Sequence, residues 1–240
     1  MKRPIDIVRK IAPKVRSEYA AAFDAGDAKL AAAGITTPLR LAHLLGQIGA
    51  ECSFTAVRES MHYTKEDRLI EIFNKIKHTT ALLPGESKLL LGQDEDIGER
   101  FFGIGGPSPL YASKNFNNGT NPGNPKKAKS LGNTRPGDGF RFRGNGMLQT
   151  TGGDAHRRIG DKVGVDFFDH PELLTSPEHA LEPVLFEWTN SKCNTFADAD
   201  DVLSISKAIN IGDPNSPATP IGMDDRITWL KRAKNALGIP

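Results

Sequence analysis

The sequence predicts a mainly α fold with little or no β structure. Apolar residues recur at the 3.6-residue period over most of the chain, two-residue alternation is scarce, and capping residues bracket the periodic segments. Residues 5–33 form one or two amphipathic helices closed by Gly34. Thr37 and Pro38 then supply a cap and a first-turn proline. Leu41, Leu44, Leu45, Ile48 and Cys52 follow on one stripe of a core helix that ends near Glu51. Thr64 is expected to cap a short helix with Asp67 in its first turn and Leu69, Ile72, Phe73 and Ile76 on one side. Further helices are expected at 86–102, 151–160, 177–190 (kinked at Pro183), 200–209 and 224–237. Between Gly103 and Gly146 the periodicity fails. An Asn- and Gly-rich run at 115–123 and a basic cluster from Lys126 to Lys129 read as a long irregular loop with room for a short hairpin.

With 240 residues, the chain is expected to form a single domain, residues 1–34 being N-terminal helices and 35–240 the core, with a loop inserted near 111–133. Lys and Arg total 31 against 29 Asp and Glu, and a net charge of +2 argues against a dedicated nucleic-acid binder. No apolar run approaches the roughly 18 residues of a membrane span. Asp6, Arg9 and Lys10 interrupt the start of the chain, so no secretory signal is read there. Two cysteines, Cys52 and Cys193, are too few for a disulfide framework. Six histidines show no metal-ligand spacing, so neither a metal nor another cofactor is expected, and the chain is expected to be a monomer.

Glu51 lies three residues after Ile48 and seven after Leu44, so on a helix it continues the buried stripe. Desolvation and the negative end of the helix dipole would both favour its protonated form, the state a general acid needs. A solvated glutamate at a frayed helix end satisfies the same spacing. Glu59, eight positions on, could offer a second carboxyl to the same site or be an ordinary loop residue. In the segment 141–152, glycines flank polar residues. Gln149 and Thr151 would share one side if it were extended, and could hold sugar hydroxyls and a water; a glycine-rich turn before a helix is the plain alternative.

The order Gln47-Ile48-Gly49-Ala50-Glu51, Phe54-Thr55, Glu59-Ser60-Met61-His62-Tyr63-Thr64, the glycine-rich stretch from Gly137 to Gly152, Ile209-Asn210 and Asp224-Asp225-Arg226 resembles the family 19 glycoside hydrolases, and their phage endolysin branch most. The resemblance runs from about Ile35 to the C-terminus. It implies a lysozyme-like two-lobed helical fold with a cleft, and inverting hydrolysis of a β-1,4 bond. Glu51 matches the family's acid, Glu59 its base and Thr151 the hydroxyl residue that helps hold the attacking water. Gln149 and Asn210 match sugar-binding positions, and Tyr63 and Arg226 match residues that line or support the cleft. An inverting pair stands roughly 6.5–9.5 Å apart to leave room for water. The chain departs from the family pattern at Ala50, where histidine is usual, at Ala155 and His156, at Ile211, and in an insertion near 111–133. The segment between the two glutamates is also one residue shorter.

Two rival chemistries follow from the residues. Glu51-Cys52-Ser53-Phe54 faintly resembles the nucleophile segment of wall-cleaving cysteine peptidases, but a thiol at a helix C-terminus is poorly placed to ionise. A non-catalytic wall-binding protein is the other. The expected substrate is peptidoglycan, with chitin as the alternative. The expected setting is a phage lysin made in the host cytoplasm, without stable membrane association, that reaches the wall once a separate protein has breached the membrane.

Overall fold

The computed structural model describes residues 2–75 and 81–240. The expected inward-facing Ile76 lies outside the described residues. In chain order the helices begin α1 (Pro4–Ile11), α2 (Ser17–Asp24), α3 (Asp27–Ala32), α4 (Pro38–Cys52), α5 (Glu66–Lys75), α6 (Glu86–Leu90) and α7 (Asp94–Phe102). They continue with α8 (Pro109–Ser113), α9 (Pro125–Leu131), α10 (Asp138–Arg141) and α11 (Gly153–Val163). The last four are α12 (Glu182–Asn190), α13 (Cys193–Asp198), α14 (Val202–Ile211) and α15 (Met223–Leu237). Two strands of two residues each, β1 (Gly106–Pro107) and β2 (Thr120–Asn121), pair antiparallel with Gly106 opposite Asn121. The mainly α class is therefore the one observed.

The chain divides into two compact units. One comprises Met1–Val57, Gly146–Gln149 and Glu172–Pro240; the other comprises Arg58–Asn145 and Thr150–Pro171. Each has its own apolar core. In the first, Leu41, Leu44, Leu45 and Ile48 of α4 are packed with Phe23, Trp188, Ile205 and Leu230. In the second, Leu69, Phe73, Ile97, Phe101 and Tyr111 form the cluster.

The helix α4 starts as its sequence dictates. The Thr37 side chain accepts a hydrogen bond from the Arg40 backbone N–H, and Pro38 occupies the first turn, where its missing N–H costs nothing. Glycines at 46 and 49 then set how near α15 can come. A Cβ on Gly49 would lie 2.3 Å from the Trp229 ring, and one on Gly46 would lie 3.1 Å from the Leu230 Cα. The two helices thus meet through a bare glycine face, and a methyl group cannot be inserted without displacing α15.

Several local expectations are corrected. The N-terminal segment makes three short helices instead of one or two. Residues 86–102 form two helices, because Gly92 takes a left-handed turn (φ 72°) and donates its N–H to the Tyr63 carbonyl. Pro183 does not kink a helix. It sits in the first turn of α12, which starts at Glu182, five residues later than expected.

The region 103–146 carries α8, α9 and α10 where an irregular loop was expected, while the strand pair β1–β2 takes the place of the short hairpin for which there was room. Buried polar side chains organise it. The Glu99 carboxylate accepts from the backbone N–H groups of Gly105, Gly137 and Gly139 at 2.9, 2.9 and 3.1 Å. Asn124 donates to the Phe101 carbonyl and Asn133 to that of Phe102. Arg100 is 1% exposed. It pairs with the fully buried Glu86 at 2.8 Å and donates to the Gly123 carbonyl, while the Tyr111 hydroxyl also donates to Glu86. Residues that read as loop composition are here the internal partners of backbone groups.

Gly49→Ala should lower stability by about 1–3 kcal/mol, because the added methyl overpacks the α4–α15 contact. Urea unfolding of the variant, read as a lower midpoint with unchanged slope, checks this.

Candidate active site

Glu51 stands in the last turn of α4. The chain then reverses through two consecutive left-handed residues, Ser53 (φ 50°) and Phe54 (φ 59°). A left-handed phenylalanine is strained by about 1–2 kcal/mol. Complete burial of its ring offsets the strain, with centroids 6.2 Å from Phe23 and 5.8 Å from Trp229. The Arg16 N–H to the Phe54 carbonyl (3.1 Å) and the Tyr19 hydroxyl to the Ala56 carbonyl (3.0 Å) hold the reversed segment. The exit from α4 is thereby fixed, and with it the backbone at Glu51.

Its side chain is 18% exposed and is not surrounded by apolar groups alone. The Arg226 guanidinium, itself 3% exposed, donates through Nη2 to Glu51 Oε1. Arg226 also donates through Nη1 to Gln47 Oε1 and through Nε to the Ile221 carbonyl. Gln47 is 1% exposed and passes the order on, with Nε2 donating to Ser206 Oγ at 3.1 Å and Ser206 Oγ donating to the Val202 carbonyl at 2.6 Å. A chain of polar groups thus links α14, α4 and α15 and ends on the carboxyl. A cation in so dry a place requires partners, and Arg226 has three. Arg226 thus reaches Glu51 and Gln47 on α4 from α15. Periodicity places Glu51 at the edge of the buried face of α4 and is silent about the distant residue that meets it there. Gln47 is the residue that the sequence reading passed over; a glutamine on the apolar stripe of α4 was the available signal.

Asn210, near the end of α14, accepts the Ile221 N–H at 2.9 Å, so Asn210 and Arg226 hold the two sides of residue 221. The Ile221 side chain is 81% exposed. Gln149 corrects the expectation of an extended segment. It has φ 51° and closes a turn, its side-chain Nε2 donating to the Gly146 carbonyl at 2.8 Å, so the two-residue alternation with Thr151 does not apply.

In the second unit, Glu59 is held by main chain on both sides. Its N–H donates to the Gly144 carbonyl at 2.7 Å and the Gly144 N–H donates to Glu59 Oε2 at 3.2 Å. Arg143 Nε donates to the Glu59 carbonyl at 3.0 Å, while its guanidinium lies 3.7 Å from the Phe140 ring centroid. Burial pushes the Glu59 carboxyl above its ordinary range; the Gly144 N–H and the Arg143 charge oppose this. Tyr63 is half-buried, edge-on to Phe101 at 6.2 Å. Its phenol is pushed up by burial and then by the Glu59 charge, which brings these two residues into one neighbourhood. Thr151 is half-buried between the Asn145–Thr150 bridge and the start of α11. The glycine-rich motif therefore serves Glu59 through Gly144, a role its spacing did not disclose.

Neither cysteine is placed to act as a nucleophile. Cys52 is buried, its thiol donates to the Ile48 carbonyl at 3.4 Å, and desolvation pushes it up to about 12; burial does the same to Cys193. His156, at a departure from the family pattern, is fully buried with Nδ1 on the Gly152 carbonyl at 2.8 Å. Desolvation lowers it to about 4, so it is a neutral structural imidazole at pH 7.

Replacing Arg226 with methionine should cost roughly 3 kcal/mol of stability, because the Gln47 and Glu51 oxygens lose a buried donor. Replacing Cys52 with serine should cost far less, and thermal melts of the two variants side by side read the difference.

No protein-family model matches the chain, and no curated protein matches it. Among solved structures, the chain is similar to chitinase C from Streptomyces griseus, with TM-score 0.55 and 15% identity over 100% of this chain and 78% of that one. It is likewise similar to a mutant of chitinase C, with TM-score 0.54 and 15% identity over 98% of this chain and 92% of that one. At this identity the likeness establishes the fold, which is that of the chitinase C structures.

Proposed function

We propose that this chain is a glycoside hydrolase that cuts β-1,4 bonds between N-acetylated hexosamines, with peptidoglycan glycan strands as its substrate. The observation that carries the reading is the carboxyl of Glu51, partly open to solvent at the end of a buried helix and held by a buried arginine. A second carboxyl, Glu59, is fixed by the backbone of the glycine-rich motif. The order of motifs along the chain and the fold of the chitinase C structures support the same assignment.

In this mechanism Glu51 gives its proton to the glycosidic oxygen as the C–O bond breaks. Glu59 takes a proton from water, and that water attacks the anomeric carbon from the opposite face, so the configuration inverts. Proton donation leaves negative charge on Glu51, and the Arg226 guanidinium is already in place to stabilise it as it develops. Thr151 is assigned to the attacking water, and Gln149, Asn210 and Tyr63 to the sugar. Arg226 and Gln47 act through Glu51 and are positioning residues. Chitin is the second reading, favoured by the names of the structures that share the fold. Both polymers present the same linked N-acetylhexosamine backbone. Action as a phage lysin on the wall after membrane breach remains part of the proposal.

Glu51→Gln should lower kcat about a thousandfold, equivalent to about 4 kcal/mol, with KM little changed. Wall clearing equal to the parent's would instead identify a binding module. Glu59 must be ionised to accept a proton, so activity should fall as pH drops through its raised pKa, placing the acid limb of kcat/KM above the ordinary carboxylate range. Arg143→Gln removes an effect that lowers that pKa and should move the limb to still higher pH. Mass spectrometry of products from peptidoglycan and from chitin oligomers separates the substrates: new reducing ends on N-acetylmuramic acid support the lysin, and digestion of chitin alone overturns it.

A further inference from the structure

The basic cluster on α9 has no part in the chemistry above. Between Arg100 and Gly160 the chain carries ten Lys and Arg against two carboxylates, although the whole protein is only +2. Of the two, Asp138 is buried and accepts the Thr134 and Arg135 backbone N–H groups. Asp154 is exposed and is paired with Arg157. Lys126 and Lys129 project from α9 as exposed side chains one helical turn apart, with Lys127 half-exposed between them. Among the described residues none of the three ammonium groups has a carboxylate partner. Exposed Lys114 and Arg135 flank the helix in sequence, and α9 packs against α11, which bears exposed Arg158.

This arrangement is locally unfavourable. Lys126 and Lys127 occupy the first turn of α9, where the helix dipole repels cations, and Lys126 and Lys129 repel each other at i, i+3. Such a cost persists where something outside the fold compensates it.

We infer that the lysine face of α9 is an interaction surface for a polyanionic wall polymer, one bearing repeated phosphodiester or carboxylate charges. Three features select this partner. Lysines are hydrated point charges, suited to diffuse, sequence-independent attraction along a flexible polyanion and not to bidentate recognition of one group. No aromatic ring between Arg100 and Gly160 is exposed, so there is no stacking platform for nucleic-acid bases. Among the described residues of this unit no large apolar side chain is exposed, so its described surface offers nothing to insert into a lipid surface. The choice of a wall polymer rests on the proposed function; the charge argument does not.

The test is co-sedimentation of the full chain with purified cell walls, in a Glu51→Gln background that leaves the walls intact. Binding should weaken as salt rises from about 50 to about 200 mM. Lys126→Gln/Lys129→Gln should reduce it roughly tenfold at the lower salt and shallow the log–log salt slope by about one to two. Its melting temperature should be equal to or above the parent's, since two repelling charges are gone; a marked fall would identify a structural role and overturn the inference. Equal binding with an equal slope would overturn it too, as would tighter binding to single-stranded DNA or to anionic phospholipid vesicles than to walls. Hydrofluoric acid stripping of phosphodiester polymers and carbodiimide amidation of carboxylates assign the charge to its source, and retention after both treatments would sink the proposal. Salt-sensitive, lysine-dependent binding by a chain whose Glu51 form hydrolyses nothing would count against the glycosidase reading alone.

Discussion

The geometry around Glu51 depends on how closely α15 approaches α4. Glycines at 46 and 49 remove the side chains that would hold the helices apart, and the Trp229 ring and Leu230 backbone fill the space. At that separation an arginine on α15 reaches both a glutamine and a glutamate on α4. Desolvating a guanidinium is costly, and the cost is met by a hydrogen-bond set that leaves its donors well occupied. Close packing and electrostatics are therefore one constraint here, since a wider helix pair would take the Arg226 guanidinium out of reach of Gln47 and Glu51.

The second unit solves a related problem with polar groups. Its short helices and strand pair leave many backbone N–H and C=O groups inside, and Glu99, Asn124, Asn133 and Arg100 satisfy them. Glu59 belongs to the same pattern, its carboxylate taking the Gly144 N–H while its own N–H reaches the Gly144 carbonyl. The Gly144 N–H on Oε2 and the main-chain pairing of residues 59 and 144 together limit the freedom of this carboxyl.

Local signals were legible where one helix face decides the outcome. The Thr37–Pro38 start of α4, its buried stripe, its end near Glu51 and the burial of Cys52 all followed from spacing and capping. The signals misled where polar residues turn inward. Asparagines and glycines at 103–146 read as loop because solvent-exposed turns use the same residues, yet several of them are buried backbone partners. Gln149 was read as extended because a two-residue alternation was assumed; the turn closed on Gly146 gives it a left-handed backbone instead.

What the sequence determined by itself is the mainly α class, the position of Glu51 on a core helix and the inert character of its cysteines. Each rests on periodicity and capping within a few residues, where backbone geometry leaves few choices. Only the tertiary structure decided that Arg226 and Gln47 hold that carboxyl and that Gly144 holds Glu59. Arg226 lies 175 positions from Glu51, and no local rule specifies which buried donor will meet which acceptor once distant helices pack.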